Sequence, residues 1–226
     1  MKQLIVPQTP DLWQDSPISL VTAKLDALPR QGIASCPWSA EEGKPEVYFT
    51  LAHNDGCLFL KYRVREKTLL ARYRNINDPV YKDSCVEFFI AYGEDSAYYN
   101  IEANCLGTCL VGYGKGKNNR KLLPTETVSV IRHHADLKVA NKGQSFMVWE
   151  LTLIIPASVF SEHKLKTFEG QNGRVNFYKC GDDLPEPHYL AWHPIEAPEP
   201  DFHRPEYFGQ IAFIGALLPA QPLLHQ

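Results

Sequence analysis

Asn100, Glu102 and Asn104 follow one another at a spacing of two in the stretch SAYYNIEANC. In an extended strand that spacing puts all three side chains on one face. Two amides and a carboxylate in a row supply donors and acceptors for a hydroxyl-rich ligand, and nearby aromatic rings can cover apolar C–H faces. An ordinary solvated sheet face would have the same pattern. A second carboxylate, Glu87, lies on the less apolar side of SCVEFFIAY, just after a turn, NDPVYKD, that carries Tyr81. Glu87 and Glu102 could in principle form the acid pair of a glycoside hydrolase, although nothing in their spacing fixes the separation.

Two neighbouring segments add further chemistry. NFYKCGDDLPEPHYLAWHPI contains Lys179, Asp182, Asp183, His188, Trp192 and His193. Its histidines match no zinc spacing, whereas Asp182 and Asp183 could offer oxygens to calcium outside any EF-hand loop. PEPDFHRPEYFG follows, and its prolines stiffen a non-helical backbone around Phe202, His203 and Arg204. Such a loop either packs between two strands or displays its rings to a ligand. No G-x-S-x-G, P-loop or dinucleotide glycine pattern is present. GYGKGKNNR is glycine-rich but opens no helix, and reads as a hairpin loop that could line a cleft.

Bulk properties exclude some functions. The formal net charge is −3 and no basic block occurs, which argues against nucleic acid and against a polybasic membrane anchor. The N-terminal segment has only three consecutive apolar residues before Pro7, short of the roughly 7–15 that a signal peptide needs. A cytoplasmic location is expected, or an extracellular or periplasmic one if a leader has been removed. The six cysteines form no C-x-x-C pair and read as reduced thiols, with Cys57 and Cys85 acting as small buried hydrophobes. No segment points to a particular protein partner.

The elements that must position these residues are strands. Val47, Phe49 and Leu51 alternate with polar residues, then HNDG marks a turn, then Leu58, Leu60, Tyr62 and Val64 alternate with Lys61, Arg63 and Arg65. Similar alternation recurs in five or more later segments. The expected fold is all-β, a jelly-roll-like antiparallel β-sandwich with long loops and little helix. It is read as a single domain over 1–226, with an extended lead-in over 1–45 and the core sandwich over 46–215. One short helical turn is expected in PASVFSEHKL.

Taken in order, EVYFTLAHNDGCLFLKYRVRE, DPVYKDSCVEFFIA, the polar strand, MVWELTLIIP and FHRPEYFGQIAF resemble carbohydrate-binding module family 9 and the wider DOMON-like group. The resemblance runs from about Val47 to Ile214 and is nearest to a bacterial single-domain subgroup. It implies a jelly-roll sandwich that binds sugar without catalysis in carbohydrate catabolism, often at a glycan end. It also implies structural calcium as the only candidate cofactor, with none required for binding. In the family two rings sandwich the sugar, and those positions fall at Tyr81 and Phe202, where the family usually has Trp. The family's carboxylate maps onto Glu87 and a polar partner onto Asn100, with Glu102 and Asn104 beside it. Lys179, Trp192, His203 and Arg204 complete the expected ligand-binding set, and Asp182 and Asp183 the expected metal ligands. Two other readings stay open: a glycan hydrolase using Glu87 and Glu102, and an interaction or sensor domain that has lost the sugar site.

Overall fold

Alternating apolar residues zip into two sheets that face each other across one core. The computed structural model describes residues 2–38, 41–54, 56–139 and 146–215, and the strands and helices below are numbered in chain order among them. The first sheet runs β1 (Gln3–Val6), β13 (Gly209–Phe213), β11 (Asn172–Cys180), β5 (Cys85–Tyr92), β6 (Tyr98–Asn104), β7 (Cys109–Gly114) and β8 (Arg120–Leu122). β12 (Tyr189–Ala191) also pairs with β11. The second sheet runs β2 (Gln31–Gly32), β3 (Glu46–His53), β4 (Cys57–Glu66), β10 (Met147–Pro156) and β9 (Arg132–Val139).

The core is the set of inward alternates. Phe49, Leu60 and Leu151 from the second sheet meet Phe88, Ile101 and Phe177 from the first. Phe177 stacks on Phe49 at 3.7 Å between ring centroids and on Phe88 at 5.1 Å. Fully burying a side chain of this kind contributes about 1.5–3 kcal/mol, so these rings dominate cohesion between the sheets. The β3–β4 hairpin is closed by Asn54, whose side-chain oxygen accepts from the backbone N–H groups of Gly56 and Cys57.

The lead-in is more structured than an extended segment. β1 pairs with β13 in parallel, the one parallel pairing among the described strands. Helix α1 (Ile18–Asp26) lies on the outer face of the second sheet, burying Val21 and Leu25 against Ala52, Phe59 and Ile154. The steps Ile18, Val21, Leu25 and Leu28 follow the helical period, a signal that the surrounding prolines and strand patterns obscure. A second short helix, α2 (Thr125–Val128), follows β8. The turn expected in PASVFSEHKL is a single 3₁₀ turn, Ala157–Val159.

Two residues expected at the ligand site belong to this interior instead. Trp192 is 1% exposed and stands edge-on to Phe49 and Phe177, so its indole is core packing. Lys179 follows Val175 and Phe177 on the inward face of β11 and is fully buried. Its ammonium lies 2.9 Å from Glu66 at the end of β4, and it also donates to the Cys180 carbonyl at 2.7 Å. Trp149 donates its indole N–H to the same carboxylate at 2.6 Å. Lys179 therefore ties one sheet to the other from inside. Burial and the adjacent Lys179 charge hold the nearby His188 neutral, with its pKa down at about 3.

Candidate functional site

The outward alternates of the first sheet form the floor of a cleft. The strand register sets Glu87 opposite Glu102, and Phe89 opposite Asn100, across β5 and β6. Asn100 in turn faces Gly112 of β7, where a β-carbon would come within 2.6 Å of the Asn100 side-chain oxygen. The missing side chain at Gly112 is what lets Asn100 lie flat along the floor. At the far edge Arg120 pairs with Gly114, which brings its guanidinium onto the same face.

Three loops stand around this floor. The turn before β5 supplies Tyr81, the β7–β8 loop supplies Lys117 and Asn118, and the loop before β13 supplies Phe202 and His203. The space between them is about 390 Å³. Phe202 is 9% exposed and lies flat on Tyr178 at 4.1 Å with an 8° interplanar angle, and its carbonyl accepts from the Tyr178 hydroxyl. Trp38 braces the same loop, its indole N–H donating to the Ala197 carbonyl at 2.7 Å. Tyr81, by contrast, is 36% exposed, while its neighbour Val80 is buried. Both rings border one cleft.

Burial dominates the electrostatics. It pushes the Glu102 carboxyl up to about 7, against the opposing pull of the Asn100 hydrogen bond and the Arg120 charge. Burial, Cys180 and Glu102 together hold Glu87 well above the ordinary carboxylate range. Asp182 is also raised by burial, and shares a hydrogen bond with Tyr189. His203 stacks on Phe89 at 5.0 Å and bonds the Tyr98 hydroxyl through Nδ1. Burial and the positive charges of Arg120 and Lys117 bring its pKa down to about 3, so it stays a neutral imidazole. On the floor, Asn100 donates to one Glu102 oxygen at 2.6 Å. The other Glu102 oxygen, the Asn100 oxygen and Arg120 Nη2 have no hydrogen-bond partner within the protein, though all three are buried.

Residues 15–213 match the model of carbohydrate-binding family 9. The chain belongs to carbohydrate-binding family 9. Among solved structures, a candidate carbohydrate-binding protein from Bacteroides uniformis ATCC 8492 is similar at 32% identity and a TM-score of 0.82. That match covers 94% of this chain and 99% of the other. A family 9 module from Caldicellulosiruptor kristjanssonii, solved with cellotriose, has the same fold at 15% identity and a TM-score of 0.53, covering 98% of this chain and all of the other. The same organism's module in complex with glucose matches at 14% identity and 0.54, with the same coverage. No curated protein matches the chain.

In this family 9 protein, Tyr81, Glu87, Asn100, Glu102, Phe202 and His203 come together at one cleft. Asn104 shares their strand face but is fully committed to structure. Its amide donates to the Tyr73 carbonyl and to Asp83, and its oxygen accepts from the N–H groups of Leu106 and Thr108. Arg204 turns aside to pair with Glu206 at 2.6 Å over the Tyr207 ring. Asp182 borders the cleft, and the neighbouring Asp183 pairs with Arg72. Among the described residues no three carboxylates gather within 4.8 Å of one another. No described helix is long and apolar enough to cross a membrane.

Sequence alone places Arg120 only at the end of a loop that could line a cleft, and does not single out Tyr189. Tyr189 pairs with Cys180 across β12 and β11, so it shares the outward face of that cysteine. Both residues depend on very short strands, three residues each, where alternation carries almost no signal.

Proposed function

We propose that the cleft binds carbohydrate without altering it, holding a sugar residue or glycan end against aromatic rings and buried polar atoms. The observation that carries this reading is the trio of unpartnered floor atoms: Glu102 Oε2, Asn100 Oδ1 and Arg120 Nη2. A buried polar atom left unpaired costs about 1–3 kcal/mol, which a ligand hydroxyl, both donor and acceptor, can offset. Tyr81, Tyr189 and Phe202 add ring surface beside those atoms. The cleft volume also falls within the range of small-molecule sites, about 300–1,000 Å³.

Family membership supports the same reading, as do the cellotriose and glucose complexes of the Caldicellulosiruptor kristjanssonii module. Glu87 and Glu102 do not favour a hydrolase. Both rise from one floor, on the same side of any ligand, whereas glycoside hydrolysis needs carboxyls that flank the scissile bond. The six free thiols favour a reducing compartment for this binding.

Each ring contact or hydrogen bond contributes about 1 kcal/mol, so micromolar to millimolar dissociation constants are expected. The test is calorimetric titration of the folded protein with a panel of sugars headed by glucose and cellotriose. Saturable heat that is lost in Asn100→Ala supports the proposal. A folded protein that gives no heat with any sugar would refute it.

A further inference from the structure

The sheet register brings together two cysteines that lie 95 residues apart in sequence (180 minus 85). Cys180 of β11 is the direct cross-strand partner of Cys85 of β5, and Glu87 follows Cys85 on the same outward face. One donor atom from each of Cys85, Glu87 and Cys180 lies within 4.8 Å of the other two. The Cys180 sulfur is already 3.0 Å from a Glu87 oxygen. All three side chains are buried, and Cys180 and Glu87 border the floor of the cleft.

We propose that Cys85, Cys180 and Glu87 form a binding site for a thiophilic divalent cation of the zinc class. The protein supplies two thiolates and one carboxylate, and the fourth position faces the cleft. Tetrahedral zinc takes sulfur at about 2.3 Å and carboxylate oxygen at about 2.0 Å, which separates its ligand atoms by about 3.5–3.8 Å. The grouping present needs only small side-chain rotations to reach that geometry. Two neutral thiols and one neutral carboxyl release three protons as the cation enters, leaving one net negative charge on the complex. Arg120, whose charge acts on Glu87, supplies a compensating positive field. Because all three ligands must lose their protons, the cation competes with protons and binding tightens as pH rises. This site does not depend on sugar binding, because none of its three ligands is supplied by a sugar.

The experiment is a cobalt(II) titration of the reduced full chain, followed by absorbance and then displaced with zinc. One equivalent of cobalt should produce a thiolate charge-transfer band together with the strong visible bands of a tetrahedral site. Cys85→Ser and Cys180→Ser should each weaken binding by more than the roughly 10–100-fold that loss of a partner behind a ligand costs. Cys36→Ser, which removes the half-exposed thiol, should leave the bands unchanged. Absence of a thiolate band in the folded, reduced wild type overturns the proposal whether or not the serine variants fold. A band that follows Cys36 and survives Cys180→Ser overturns it equally.

Discussion

Glu87 and Glu102 face each other directly across β5 and β6, two buried carboxyls side by side in the floor of the cleft. Like charges placed opposite one another destabilise a sheet, so the pair is tolerated by carrying protons. Glu102 ionises in the folded state at about 7, against an ordinary value of 4.5. Between those values the folded chain binds more protons than the unfolded chain. The contribution of Glu102 to stability is therefore full below pH 4.5 and is lost as pH rises through about 7. Glu102→Gln keeps the shape and removes the titration. Urea unfolding across this range should show the wild type losing stability relative to Glu102→Gln as pH rises; parallel profiles would contradict the assignment.

Tyr81 and Phe202 should separate binding from folding. Phe202 is packed flat against Tyr178, so Phe202→Ala removes core contacts and should lower stability by about 3 kcal/mol as well as weakening sugar binding. Tyr81 is partly exposed, so Tyr81→Ala should change stability by less than about 1 kcal/mol while weakening sugar binding about tenfold. Thermal melts and calorimetry on the two variants check this. Equal losses of stability in both would be inconsistent with it.

Gly112 tests the floor without touching a ligand-facing group. A methyl group there would sit 2.6 Å from the Asn100 oxygen and push that amide out of place. Gly112→Ala should therefore weaken sugar binding about tenfold, the effect of one or two hydrogen bonds. The β-spectrum by circular dichroism should be retained, because alanine disfavours strand structure no more than glycine does. Unchanged affinity would mean that Asn100 takes no part.

Much of this was legible in the sequence, and the misses follow a physical pattern. Long alternating runs such as CLFLKYRVR expose their inward and outward faces, so Leu58, Leu60, Tyr62 and Val64 could be assigned to the core from spacing alone. The same rule placed Asn100, Glu102 and Asn104 on one face, but spacing cannot say which side chains satisfy one another. Asn104 is consumed by its own turn while Asn100 keeps a free oxygen. Lys179 and Trp192 were misassigned because a charge and an indole suggest a surface, whereas their partners, Glu66 and Phe49, come from the opposite sheet. Cross-sheet proximity leaves no mark on local sequence.

The Lys179–Glu66 pair should matter for stability and not for ligand binding. Removing one member of a buried pair strands the other charge, so Lys179→Met should lower stability by about 3–5 kcal/mol. The double variant with Glu66→Gln should recover part of that loss, since no unpaired charge then remains. Sugar affinity in whichever variant folds should match the wild type, because the pair lies between the sheets. Chemical denaturation and calorimetry on the set decide it. A double variant that is less stable than Lys179→Met would point to a different role.

The cleft divides into a floor fixed by strand register and walls carried on three separate loops. Floor residues cannot be repositioned singly, since each is locked to its cross-strand neighbour. The β7–β8 loop and the loop carrying Phe202 span the mouth without contributing rungs to the β5–β6 pairing beneath. For protein engineering, this makes the sandwich a chassis with exchangeable jaws. Libraries confined to residues 115–119 and 198–201, with the packed Phe202 and His203 left in place, can alter which molecule is gripped while the ladder keeps its alignment.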